Sequence, residues 1–77
     1  MIVWHVTTAK KLFKYKETGF IKPPVRGWKT IQAAERFSKQ TGRSLILRLK
    51  FRGKVNVMEG HRGEGVYALS PVEFHDM

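Results

Sequence analysis

The eight residues LILRLKFR, at positions 45–52, alternate between two kinds of side chain. Positions 45, 47, 49 and 51 are leucine or phenylalanine, whereas Arg48, Lys50 and Arg52 are basic and Ile46 is apolar. Because successive side chains of a strand point to opposite faces, the pattern predicts a strand over Arg43–Arg52. One face of this strand would lie on the core, and the other would present cations about 6.7 Å apart to solvent or a ligand.

Two segments before this strand have the apolar spacing of helices. Ala9–Thr18 and Ile31–Thr41 each follow threonines, at positions 7, 8 and 30, whose hydroxyls are suited to cap a helix N-terminus. Gly19 and Gly42 stand where a left-handed residue commonly ends a helix. The sequence therefore predicts two short helices with these bounds.

Short apolar runs elsewhere predict the remaining strands. They are Ile2–Val6, Lys54–Met58 after a turn at Gly53, Val66–Leu69, and an edge strand over Val72–Phe74. Lys54–Met58 would form a hairpin with the 43–52 strand. The adjacent prolines in Phe20–Lys29 prevent a helix there, so we expect a loop or an edge segment. The result is an α+β fold of order β-α-α-β-β-β, with a small, mostly antiparallel sheet and both helices on one face.

Length and charge narrow the class of protein. The chain has 77 residues, so we expect a single domain over 1–77 with a small core. It has no cysteine and no apolar run long enough to cross a bilayer, so we expect a cytoplasmic protein without membrane contact. Net charge is +9, and residues 1–54 hold fourteen of the fifteen basic side chains and two of the six acidic ones. Concentrated positive charge favours a polyanionic partner.

The basic strand face is the first candidate site. Its cations would contact successive phosphates of a nucleic acid, or of another phosphate-rich ligand, and exposed aromatics would stack on bases. Tyr15 lies off the predicted core stripes and is one such aromatic. The other candidate residues of this site are Arg48, Lys50, Arg52, Lys10, Lys14 and Trp28. The alternative is a solvated face whose cations prevent aggregation through the sheet edge. A homodimer is a further possibility, because Trp4, Trp28 and Phe74 need cover.

Two other segments carry polar side chains suited to ligand binding. His5 and Thr7 lie where a strand meets a helix N-terminus, a favourable place for an anionic ligand, although a half-buried histidine bonded to backbone fits the same position. The loop GHRGEG, residues 60–65, brings together His61, Arg62 and Glu64, a mixture suited to acid–base or phosphoryl chemistry or simply to a polar turn. His5, His61 and His75 lack metal-ligand spacing, so we expect no metal site.

Several pieces of the chain resemble the first half of ADP-ribosyltransferase-like domains. They are His5-Val6-Thr7, Leu12, Gly19-Phe20-Ile21, Ala33-Ala34 and Leu45-Ile46-Leu47. In that family the histidine and its neighbour hold an NAD ribose, and a late glutamate helps catalysis. The resemblance implies that His5 and Thr7 bind NAD and that Glu64, or else Glu73, is the catalytic partner of His5. Without this resemblance we expect no cofactor.

The element order, the small size and the basic sheet also resemble RelE/ParE-type toxins. Gly60-His61-Arg62 followed by Tyr67 is similar to a late-strand pattern of that group. In its ribonuclease members, basic residues and a tyrosine on the sheet cleave messenger RNA. The resemblance implies Lys50, Arg52, Lys54, Arg62 and Tyr67 as the corresponding residues. A binding module is our leading hypothesis, and the sequence does not decide whether the protein is an enzyme.

Overall fold

The computed structural model describes residues 1–74 and shows an α+β fold, as the sequence predicts. The elements in chain order are β1 (Ile2–Thr7), α1 (Ala9–Thr18), β2 (Phe20–Ile21), β3 (Val25–Trp28), α2 (Ile31–Thr41), β4 (Leu45–Lys50), β5 (Asn56–Val57), β6 (Gly65–Ala68) and β7 (Val72–Glu73). Five strands form an antiparallel sheet in the order β4-β1-β3-β6-β5, and β2 pairs with β7 in a second, two-stranded sheet. Neither helix in residues 1–74 is long and apolar enough to cross a membrane.

Both helices have the predicted bounds, because their caps are formed by local sequence. The Thr8 hydroxyl accepts a hydrogen bond from the third helical amide of α1, and the Thr30 hydroxyl does the same for α2. Gly19 and Gly42 end the helices with φ of 79° and 73°. These values lie in the left-handed region, which glycine adopts without steric strain.

The prolines at positions 23 and 24 do not keep the following segment at a sheet edge. The predicted loop contains β3 (Val25–Trp28), which lies between β1 and β6 near the middle of the sheet. Both prolines precede the strand, so their missing N–H groups do not interrupt its hydrogen-bond ladders. The expectation of a loop or edge segment was therefore wrong for residues 25–28.

The predicted hairpin between β4 and the following strand does not form. β4 pairs with β1 along its whole length, and the Phe51 amide extends this ladder with a 2.8 Å bond to the Met1 carbonyl. The chain then crosses to the opposite edge of the sheet, where β5 pairs with β6. Phe51 is buried and Val55 is half-buried against the core, so burial of these two side chains accounts for the crossing.

The two helices pack on opposite faces of the sheet, whereas the sequence pattern predicts both on one face. Val3 of β1 belongs to a large apolar cluster against which Tyr15 of α1 packs, and we call this side the α1 face. Val6 of β1 belongs to a second cluster with Ala33 and Ala34 of α2, on the side that we call the α2 face. Alternate side chains of β1 thus contact different helices, since a strand with apolar residues at both parities can be buried on both sides.

Candidate functional site

The three cations of the 45–52 stretch are exposed along an edge of the sheet. Arg48 and Lys50 belong to β4, which pairs with β1 on one side only, and Arg52 follows it. We call Arg48, Lys50 and Arg52 the basic edge. Leu49 and Phe51, between them, are buried on the α1 face. The predicted alternation of core and cationic side chains is therefore confirmed for residues 48–52.

No carboxylate within residues 1–74 forms an ion pair with the basic edge. Arg48 lies directly across the β1–β4 ladder from Trp4, and Lys50 lies across from Ile2. Both neighbours are uncharged, so nothing in these cross-strand pairs offsets the positive charge. The basic edge therefore presents its charge to solvent, where an anionic partner can reach it.

Lys10 and Lys14 do not extend the basic edge. Both are exposed on α1, the helix that packs on the α1 face through Tyr15. Arg48 and Lys50 share the opposite side of the sheet with Trp4, because directly paired residues point to the same face. The two lysines and the basic edge are thus separate positive regions, and the sequence-based set of nucleic-acid contacts is divided between them.

Neither aromatic chosen from the sequence is available for base stacking. Trp28 is only 7% exposed and packs against Phe37, with ring centroids 5.1 Å apart. Tyr15 packs against the core and bonds to His5. The aromatic beside the basic edge is Trp4, which is half-buried and lies across from both Arg48 and Trp28. From the sequence, Trp4 is only an aromatic that needs cover, and the strand register is what puts it next to Arg48.

His5 lies at the centre of a buried polar network on the α1 face. Its Nδ1 is 2.5 Å from the Arg26 carbonyl oxygen, and its Nε2 is 3.1 Å from the Tyr15 hydroxyl. A carbonyl only accepts, so Nδ1 carries the proton and Nε2 accepts from Tyr15. The Thr7 hydroxyl lies 3.3 Å from the same Tyr15 oxygen and can donate to it. Both ring nitrogens of His5 therefore have protein partners, and a ligand that bonded to either would have to replace one.

Burial lowers the pKa of His5 below its usual value. The bond to the Arg26 carbonyl opposes this shift, and the positive charges of Lys11 and Arg43 add to it. The neutral ring is the form that can accept from Tyr15, so the lowered pKa and the Tyr15 hydrogen bond favour the same state. The expected bond from His5 to backbone is thus present, but the side chain is buried and not half-buried, and Tyr15 is a partner that the sequence did not indicate.

Protein stability is expected to fall in mild acid because of His5. Its folded-state pKa is below its unfolded-state value of about 6.5, so the unfolded chain binds more protons between these two values. Protonation of His5 should leave the free energy of unfolding unchanged above about pH 7 and should decrease it as pH falls below about 6.5. Urea unfolding of the wild type and of His5→Gln from pH 8 to 5 measures this. His61 and His75 are present in both proteins. If the free energy of unfolding depended on pH equally in the two, the claim that folding lowers the pKa of His5 would be contradicted.

The loop over residues 58–64 forms a second polar region, on the α2 face. His61 stands edge-on to the Trp28 ring at a centroid distance of 5.0 Å. The Glu64 carboxylate bonds to the Arg36 guanidinium of α2 at 2.8 Å, and both side chains are partly exposed. Together with Arg62, these residues line a cleft between the loop and α2 with a volume of about 360 Å³. The structure thus brings together His61, Arg62 and Glu64, the residues that the sequence singled out in this loop.

The backbone of this loop is held by specific hydrogen bonds. The Glu64 amide donates to the His61 carbonyl at 2.9 Å, and the Glu64 carbonyl accepts from the Lys29 amide at 2.8 Å. Arg62 has φ of 52°, in the left-handed region that a residue other than glycine seldom adopts. The turn therefore fixes where the Arg62 backbone lies relative to the cleft.

The residues implied by the resemblance to ADP-ribosyltransferase-like domains are not gathered into one site. His5 and Thr7 lie on the α1 face, whereas Glu64 bonds to α2 across the sheet. Glu73 lies in β7 of the smaller sheet.

The residues implied by the toxin resemblance are also spread out. Tyr67 of β6 pairs with Arg26 and Asn56. Strand β6 lies three positions from β4 in the sheet, so the two strands are about 14 Å apart. Lys54 is exposed in the segment that connects β4 to β5. Lys50 and Arg52 therefore have neither Tyr67 nor Arg62 as a neighbour on an adjacent strand.

Two further expectations concern metals and self-association. Within residues 1–74 no three His, Cys, Asp or Glu side chains cluster as metal ligands would, and His75 lies outside the described residues. Trp28 is buried and Phe74 packs against the core, so these aromatics find cover in one copy of the chain. A homodimer stays a prediction, but exposure of Trp28 and Phe74 is no longer a reason to expect one.

Comparison of the chain with protein-family models, with curated proteins and with solved structures gives no significant match.

Proposed function

We propose that this protein binds nucleic acid, preferably single-stranded, through the basic edge and Trp4. The observation that carries the proposal is the exposure of three cations on alternate residues of one edge, without an ion-pair partner in residues 1–74. Their spacing of about 6.7 Å, set by strand geometry, is close to the reach between neighbouring phosphates of an extended strand. Such contacts hold the backbone of a nucleic acid without reading its sequence.

Trp4 favours single strands over duplex. It is half-buried and lies directly across the β1–β4 ladder from Arg48, the cation that would hold a phosphate. An unpaired base can turn toward this ring and stack, whereas a duplex keeps its bases inside. A cation and an aromatic side by side are the combination that single-strand binders use.

The dependence of binding on salt tests the proposal. If all three cations of the basic edge contact phosphates of a single strand, the slope of log K against log salt should be about −2. Fluorescence anisotropy of labelled single-stranded RNA and DNA, from about 50 to 300 mM salt, measures this slope. A duplex of equal length should bind more weakly. Absence of binding at the lowest salt, or affinity that does not change with salt, would rule out phosphate contacts.

A further inference from the structure

The cleft between α2 and the 58–64 loop is separate from the basic edge and is built differently. Phe37 of α2 and His61 of the loop supply aromatic surface, and the buried Trp28 closes the bottom between them. Its volume of about 360 Å³ is at the lower end of the range for small-molecule sites. An aromatic lining of this size suits one planar ring system and not an extended dinucleotide.

Polar groups stand at the rim of this aromatic cleft. Arg62 is exposed and has no ion-pair partner in residues 1–74. Gln40 offers an amide that can both donate and accept, as the edge of a nucleobase requires. The Arg36–Glu64 ion pair ties the loop to α2. The rim therefore combines a free cation with an adaptable hydrogen-bonding group.

We propose that this cleft binds a single nucleotide, with the base against Phe37 and His61 and the phosphate at Arg62. An inorganic anion alone would leave the aromatic lining unused, and an apolar ligand would make no use of Arg62 and Gln40. A planar base that carries a phosphate uses both parts of the site. The same chemistry occurs in a free mononucleotide and at the phosphorylated end of a nucleic-acid strand.

NMR titration of the isotope-labelled full chain tests this inference. Uridine and adenosine 5′-monophosphate, up to about 5 mM, should shift the His61 ring and Trp28 indole signals. Inorganic phosphate or the unphosphorylated nucleoside should bind at least several-fold more weakly. A 5′-phosphorylated trinucleotide distinguishes the sources: tighter binding than the mononucleotide indicates a strand end, and weaker binding indicates a free nucleotide.

Variants separate this site from the basic edge. Arg62→Asn removes the cation but keeps a residue that tolerates positive φ, and it should weaken mononucleotide binding about tenfold. Gln40→Ala, at an exposed helix position, should weaken it several-fold. The pair Arg48→Gln/Lys50→Gln should leave it within about twofold, even if it abolishes strand binding. No shift of His61 or Trp28 with any nucleotide, or equal binding by phosphate alone, would overturn the inference.

Discussion

The double variant Arg48→Gln/Lys50→Gln is expected to bind single-stranded RNA about 60-fold more weakly than the wild type at about 50 mM salt. Each phosphate contact with a single strand releases about 0.7 counterion, which corresponds to about an eightfold change in affinity at this salt concentration. Both side chains are exposed, so their replacement should leave the core unchanged. The slope of log K against log salt should also become less steep by about 1.4.

A matched control distinguishes local contacts from net charge. Lys10→Gln/Lys14→Gln removes the same two charges from α1, on the other side of the molecule. With both pairs also measured at about 100 mM salt, where screening limits the reach of a charge to about 10 Å, we expect the control pair to weaken binding by less than about threefold. Equal losses from the two pairs would mean that overall charge, and not the basic edge, holds the nucleic acid.

Gly27→Ala is expected to destabilise the fold by about 1–3 kcal/mol, the usual cost of overpacking a core. Gly27 is buried in β3, and a Cβ atom there would lie 2.7 Å from Cγ2 and 2.8 Å from Cβ of Val3. Val3 is fully buried in β1, so neither strand can yield without disturbing the centre of the sheet. Urea unfolding at pH 7.5 measures the loss.

The second variant in this test is Val3→Ala, alone and together with Gly27→Ala. Val3→Ala alone should cost about 1–3 kcal/mol through lost burial and the space left behind. In the double variant the new methyl group occupies part of that space, so the combined loss should be smaller than the sum by about 1 kcal/mol or more. Strictly additive losses would show that the two side chains do not compete for the same volume.

The elements that the sequence predicted best are those whose causes are local. Thr8 and Thr30 cap their helices and Gly19 and Gly42 end them, each through bonds within a few residues. The alternation in residues 48–52 likewise places cations outside and apolar side chains inside, because the pleat alone determines this arrangement. These features needed no knowledge of partners distant in the chain.

The partners of each strand were decided by tertiary structure alone. Whether β5 pairs with β4 or with β6 depends on where Phe51 and Val55 find burial, and no local pattern carries that information. The same holds for Trp4 beside Arg48, for Tyr15 on His5, and for the pairing of Arg36 with Glu64 across 28 residues. The sequence by itself determined which residues form helices, which stretch is extended and where its charge is exposed. Packing determined which candidate side chains meet, because contacts between distant segments depend on the burial of the whole chain.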